Sequence, residues 1–395
     1  MSVAAPQSAS QQQASPSAGS SWSLKESARA YGMVAALIIV WIAFEYATGG
    51  VFLNPRNFSN LMRQMAVTGV LSVGMLMVIV TAQIDLSVGS LVGLTGMIAA
   101  LLQAGLGWGL LPTLLGALVC GLVIGFFQGT ITAYMRVPSF IVTLGGLLAW
   151  RGVTKGISSG STIPVQLNSF TSIGQSYLDR PVGVAFAIIA VIAIAVQAVR
   201  GNKVRQRLGL TTASPVRLAA RIVFPCVVVL ALVFWLNAYE GIPVPVLIFF
   251  GVALAGAFVM SNTVYGRYMY AVGGNAEAAR LSGINTRLLV TAVFGVMGVL
   301  AALAGIMYTA RVGSASPDAG LLLELDAIAA CVIGGASLMG GRGAIFGACL
   351  GALFMASLDN GMSLKNVSDY IQDIVKGGIL VAAVALDMLG RRRGS

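Results

Sequence analysis

Apolar runs close to the ~20 residues that cross a bilayer recur from Gly32 almost to the end of this chain, separated by short polar segments. Their limits predict helices over 32–48, 64–82, 86–104, 110–134, 139–156, 181–199, 222–239, 243–260, 288–310, 326–341, 344–362 and 370–389. Continuous runs of this kind predict an all-α polytopic membrane protein, because a membrane β-barrel alternates polar and apolar positions in short segments. Two of the twelve are irregular. The segment 139–156 carries Arg151 and Lys155, and 326–341 is short and interrupted by glycines. Either fits a broken or re-entrant half-helix, so ten membrane-crossing helices stand beside twelve.

Composition agrees with the pattern. The chain is 57% hydrophobic and 9% charged, with mean hydropathy +0.89, against roughly 25% charged residues in an ordinary soluble domain. Its 49 glycines exceed the ~7% of average usage. Small residues let helices approach closely within a membrane. Gly-Gly pairs at Gly145 and Gly334 also mark places where helices can break around a binding site.

The net charge of +11 does not indicate nucleic acid, because the basic residues sort by membrane side. With the N-terminus inside, Lys25, Arg29, Arg136, the basic segment 200–221, Arg267, Arg280, Arg287, Arg342 and Arg391 to Arg393 share one side. That is the positive-inside distribution, and it predicts that both termini lie in the cytoplasm. The basic segment reads as an anchor near anionic lipid or as a contact for a cytoplasmic partner. Residues 1–30 read as a polar, disordered tail, 31–390 as the membrane domain and 391–395 as a basic tail. The polar stretch before Gly32 is too long for a signal peptide, so the first apolar run is expected to be retained. On the outer side, 157–180 is polar, with Ser158, Ser159, Ser161, Thr162 and Asn168. It offers a surface to an external protein or is simply a solvated loop.

Several chemistries are disfavoured. The sequence has no histidine, which removes the commonest metal ligand and proton shuttle. Cys120, Cys226, Cys331 and Cys349 stand singly in apolar segments, as packing residues do. No G-x-x-x-x-G-K-[ST] phosphate loop occurs, and no acid–base pair suited to hydrolysis is evident. The chain is expected to be neither an enzyme nor the binder of a cofactor or metal.

Three polar interruptions remain. Between Tyr265 and Ile284, within the connecting segment 261–287, Asn275 can N-cap a helix. Glu277 stands in its first turn, Arg280 near its last, and Gly283 at its stop. Such a helix has about two turns, far short of the ~12–15 residues an isolated helix needs in water, so something outside must hold it. The second interruption is Gln83-Ile-Asp85-Leu-Ser87-Val-Gly-Ser90. Two readings fit Asp85: a functional ionisable group at membrane depth, or an N-cap for the helix starting at Leu86. Gln83, Ser87 and Ser90 add neutral hydrogen-bonding groups suited to an uncharged polyol. The third is Val332 to Gly347, whose six glycines exclude a strong helix interior. It reads as a tight turn holding Arg342 near the headgroups, or as a gate. Asp359 and Asn360 line a pathway or cap a helix. Glu45, Glu324, Asp326 and Asp373 fall near predicted outer ends and read as hydrated carboxylates.

At Ile84-Asp-Leu-Ser-Val-Gly-Ser90, at Gly266-Arg-Tyr-Met-Tyr-Ala-Val-Gly-Gly-Asn-Ala-Glu-Ala-Ala-Arg-Leu-Ser-Gly283 and at Gly334-Gly-Ala-Ser-Leu-Met-Gly-Gly-Arg-Gly343, the chain resembles the permeases of bacterial sugar ABC transporters. These are the inner-membrane subunits of ribose, xylose and arabinose importers. The resemblance covers roughly residues 30 to 390. The insertion 200–221 and the overall length look most like the xylose-type permease, although Gln83 stands where the motif has glycine. The resemblance implies a homodimer of permeases in the bacterial inner membrane, two cytoplasmic ATPase subunits that bind the ATP, and a periplasmic sugar-binding protein. It also implies that Gly274, Asn275, Glu277, Arg280 and Gly283 form the ATPase-coupling helix. Gln83, Asp85, Ser87, Ser90, Asp359 and Asn360 are the translocation-pathway candidates. An ion-coupled secondary sugar transporter, or an ABC permease for a branched-chain amino acid, is the alternative.

Overall fold

The computed structural model of the protein describes residues 20–210 and 214–392. The expected tail 1–30 lies mostly outside the described residues, and its last part is helical, since the first helix begins at Ser20. The expected basic tail 391–395 is likewise divided: Arg391 and Arg392 close the last helix, and 393–395 lie outside.

Along the first half run α1 (Ser20–Ala47), α2 (Pro55–Val80), α3 (Val88–Ala104), α4 (Leu110–Tyr134), α5 (Ser139–Ile157), α6 (Asn168–Gln175) and α7 (Arg180–Arg207). The second half holds α8 (Pro215–Asn237), α9 (Val244–Asn262), α10 (Val264–Gly274), α11 (Ala276–Leu281) and α12 (Thr286–Val312). Then come α13 (Leu323–Ile333), α14 (Ile345–Leu364) and α15 (Asp369–Arg392). Eleven of the twelve predicted apolar segments fall largely on one of these helices, whereas 326–341 is helical only as far as Ile333 and then turns. Seven among the described residues (α2, α4, α7, α8, α9, α12 and α14) are long and apolar enough to cross a membrane.

Local chemistry sets the ends. Asn54 accepts from the Arg56 N–H before Pro55 opens α2, and Asn285 accepts from the Leu288 N–H to open α12. Gly313, at φ +79°, closes α12 in the left-handed region that suits glycine. The predicted loop 200–221 is mostly helical. α7 continues through Arg200, Lys203, Arg205 and Arg207, and α8 restarts at Pro215. Long basic side chains are good helix formers and favour a helix C-terminus.

The two irregular segments differ. α5 is an unbroken helix of 19 residues, about 28 Å long. α13 has 11 residues, about 16 Å, roughly half the hydrocarbon thickness. The chain before it, 313–322, runs back along α3. A methyl on Gly93 would meet the Ala319 carbonyl oxygen at 2.5 Å, and Gly89 packs against Gly320. The segment 313–333 is therefore a re-entrant strap followed by a half-helix.

α12 is the centre, packed against α4, α3 and α2. On α4, Gly121, Gly125 and Gly129 face Phe294, Gly298 and Thr291 of α12 so closely that backbone meets backbone, the small-residue packing expected in a bilayer. At one end of the bundle, short antiparallel pairs join Ile163–Pro164 (β1) to Ser314–Ala315 (β4) and Tyr177–Leu178 (β2) to Ile242–Pro243 (β3). The polar segment 157–180 is thus tied down, with Phe170 of α6 fully buried.

The expectation of hydrated carboxylates fails for two residues. Glu324 and Asp326 stand in the first turn of the half-helix and are each 4% exposed. Lys376 of α15 bonds Asp326 at 3.3 Å and Asp359 of α14 at 2.7 Å. Glu45 instead accepts from the Leu53 N–H, and Asp373 is exposed.

Candidate coupling and translocation sites

The polar island holds two helices where the sequence predicted one. α10 precedes the expected short helix. Thr263 caps it by accepting from Gly266 N–H, and Met269 and Val272 bury its inner face. Asn275 then accepts from Ala278 N–H to open α11, and Gly283 ends that turn at φ +87°. Glu277 and Arg280 pair on the solvent face at 2.6 Å, and the guanidinium holds the Glu277 carboxyl below the usual carboxylate range. Ala279 alone of α11 is buried, while Leu281 is 76% exposed. The helix has six residues, too few to persist on propensity alone. Its outward surface presents the Glu277–Arg280 pair and the exposed Leu281 side chain.

A short mechanical route leads inward from this pair. Gly273 sits so tightly on the end of α2 that a methyl there would overlap the Val80 carbonyl oxygen and lie 2.7 Å from Gly341 N. The Gly341 N–H donates to that same Val80 oxygen, and the Tyr270 hydroxyl donates to the Gly343 carbonyl. The glycine-rich turn 334–344 therefore clasps α10 against α2. A methyl on Gly274 would meet nothing within 4 Å, so Gly273 is the position where the packing requires glycine.

Beyond Val80 the chain is irregular until Val88 and enters a buried polar cluster. Asp85, 3% exposed, does not cap a helix starting at Leu86. α3 begins at Val88 with Ser87 at the cap position. Asp85 closes a side-chain turn, its Oδ1 accepting from the Ser87 N–H at 2.9 Å and the Ser87 hydroxyl at 2.6 Å. Ser87 Oγ also lies 3.0 Å from the Gln128 amide of α4. On α5, Ser139 accepts from Ile84 N–H and the Leu147 carbonyl accepts from Ser90. Gly146 of α5, beside Ser87, lies about 10 Å along that helix from its start.

The cluster gathers residues that sequence reasoning missed. Gln128 Nε2, Trp150 Nε1, Arg151 Nη2 and Glu324 Oε2 are buried without a hydrogen-bond partner among the described residues. Such an atom costs about 1–3 kcal/mol when left unpaired. A neutral glutamine or tryptophan in an apolar run gives no signal, and Glu324 was read as a helix end. The predicted candidates divide. Asp85, Ser87 and Ser90 belong to the cluster. Gln83 turns to its own backbone at Thr81, Asp359 pairs with Lys376, and Asn360 exchanges hydrogen bonds with Asn57 of α2. The last two tie helices together away from the cluster.

Long apolar helices, a half-helix beside buried polar groups and an exposed capped helix at one end make this a polytopic α-helical membrane protein. Residues 57–384 match the family described as "Branched-chain amino acid transport system / permease component", and the chain belongs to that family. It is 47% identical over 361 residues to the xylose transport system permease protein of Escherichia coli, covering 91% of this chain and 92% of the relative. The protein of that description from Haemophilus influenzae is 45% identical, covering 92% and 97%. The ribose import permease protein of E. coli is 36% identical over 351 residues, covering 89% and 91%. No solved structure matches the chain. A permease component is a transport subunit, so the chain is not itself an enzyme.

Proposed function

We propose that this chain is the membrane-spanning subunit of an ATP-driven importer for D-xylose in the bacterial inner membrane. The observation that carries the cargo is the 47% identity to a xylose permease across nine-tenths of both chains. In this reading two copies form the pathway, and α11 lies in the cytoplasm in a groove of the ATPase, contacting it through Asn275, Glu277, Arg280 and Leu281. A periplasmic binding protein delivers the sugar at the opposite end, where the β1–β4 and β2–β3 ties lie. Closure of the ATPase dimer on ATP displaces α11. The Gly273–Val80 contact passes that displacement to segment 81–87, so rigid-body motion opens the polar cluster to alternate sides. Gln83, Asp85, Ser87 and Ser90 line or brace the pathway, offering contacts weak enough to release a neutral sugar.

The test is ATP hydrolysis by the reconstituted permease–ATPase assembly. Xylose-loaded binding protein stimulates it, whereas the same protein loaded with ribose or leucine does so less or not at all. Equal stimulation by every cargo, or by none, contradicts the assignment. One observation favours an ion-coupled carrier: buried Asp85 and Glu324 are groups a proton or sodium cycle uses. That mechanism predicts uptake that follows an imposed ion gradient and needs no ATPase.

A further inference from the structure

Resting on that reading, we infer that Gln128, Trp150, Arg151 and Glu324 form a hydroxyl-reading site for a neutral pentose, against which the sugar pauses during passage. Four elements bring the groups together. Gln128 lies on α4, Trp150 and Arg151 on α5, Glu324 at the start of the half-helix α13, and the first turn of α3 runs between them. Gly146 has no side chain at the meeting point. A methyl placed there would lie 2.5 Å from Gln128 Nε2, 3.0 Å from Trp150 Nε1 and 3.2 Å from Ser87 Cβ. On the other side of Ser87 and Ser90, the Glu324 carboxylate reaches Gly89. Arg151 follows Trp150 on α5, and both Arg151 Nη2 and Glu324 Oε2 are buried without a bond among the described residues.

The unpartnered atoms define the ligand. Ser87 has one hydroxyl proton, and the 2.6 Å contact with Asp85 has the length of a bond to a charged acceptor. Gln128 therefore receives nothing from Ser87. Turned over, its amide donates Nε2–H to Ser87 and leaves the carbonyl oxygen facing Gly146 in its place. In either orientation the site offers an indole N–H, a guanidinium N–H, a carboxylate oxygen and one amide atom. Sugar hydroxyls, which donate and accept at once, satisfy such a mixed set. A cation leaves the N–H groups unpaired, and an anion meets Glu324 and Asp85. With no side chain on Gly146 to come between them, the Trp150 and Gln128 side chains converge there and read the same hydroxyl.

Transport by the reconstituted full assembly tests the site, with Trp150→Phe, Gln128→Ala and Glu324→Gln compared for xylose and its monodeoxy analogues. Trp150→Phe removes only the indole N–H, and it is expected to slow xylose uptake about five- to tenfold while ATPase copurification stays unchanged. One monodeoxy analogue is expected to be carried equally by wild type and Trp150→Phe, because the hydroxyl that the indole serves is already missing. Variants that transport like wild type, or that slow every analogue by the same factor, overturn the site and reduce the cluster to a structural brace. Wild type failing to accumulate xylose overturns the importer reading instead, so the two failures are distinguishable.

Discussion

Single residues carry the tightest constraints. Gly273→Ala drives a methyl into two backbone atoms that cannot turn aside, so the variant is expected to lose about 1–3 kcal/mol and to melt earlier in detergent. Gly274→Ala, next to it in open space, is expected to stay within about 0.5 kcal/mol of wild type. Equal melting temperatures for the pair contradict the clasp on Val80. At Asp85 both contacts end on Oδ1, and an asparagine oxygen can accept both, though less strongly than a carboxylate. Asp85→Asn is therefore expected to assemble and to transport at a reduced but substantial rate. Asp85→Ala strips two buried donors at a cost of about 1–3 kcal/mol. Near-complete loss of transport in a well-assembled Asp85→Asn protein makes the charge itself part of the pathway. The cap at Asn275 and the stop at Gly283 were legible in the sequence because capping is a local matter of side-chain reach and left-handed backbone. The roles of Gly273 and Gln128 were not, because what crowds or bonds them comes from segments far away in the chain.

Elements show the same division between local and distant causes. The apolar helices were legible because a bilayer demands long uninterrupted runs. α10 was missed because no helix was read before Asn275, although Thr263 and the spacing of Met269 and Val272 mark a cap and a buried face. The half-helix α13 hid its carboxylates for a related reason: a short helix between glycines resembles a span whose ends reach water. Asp326 and Asp359 instead share Lys376 and bind α13, α14 and α15 together. Lys376→Met leaves both carboxylates without their cation, and a loss of about 3–5 kcal/mol is expected, seen as a fall in melting temperature. Adding Asp326→Asn and Asp359→Asn should recover most of it. No recovery means that the lysine acts through something other than this pairing. For α11, Arg280→Pro removes a backbone donor and breaks a helix of fewer than two turns. Membrane insertion is expected to survive while ATPase copurification is lost. Asn275→Ala weakens the same helix by about 1 kcal/mol and gives an intermediate yield. Normal ATPase recovery with Arg280→Pro contradicts the docking role.

At the scale of the whole molecule, the packing suggests how distant events communicate. α2 is almost entirely buried and joins three things: the clasp on α10, the irregular segment that holds Asp85, and the Asn57–Asn360 tie to α14. In the proposed mechanism a displacement of α11 reaches the polar cluster through Asn275, α10 and the Gly273–Val80 contact. The family and the all-α polytopic architecture followed from the sequence. The location of the polar cluster did not, because its members arrive from α3, α4, α5 and α13 and share no periodicity. The most direct test is xylose uptake into proteoliposomes that hold this chain with its ATPase and binding protein, with ATP on the ATPase-facing side. Accumulation that requires ATP and the binding protein is the predicted result. Uptake that ignores ATP and follows an imposed ion gradient contradicts the account.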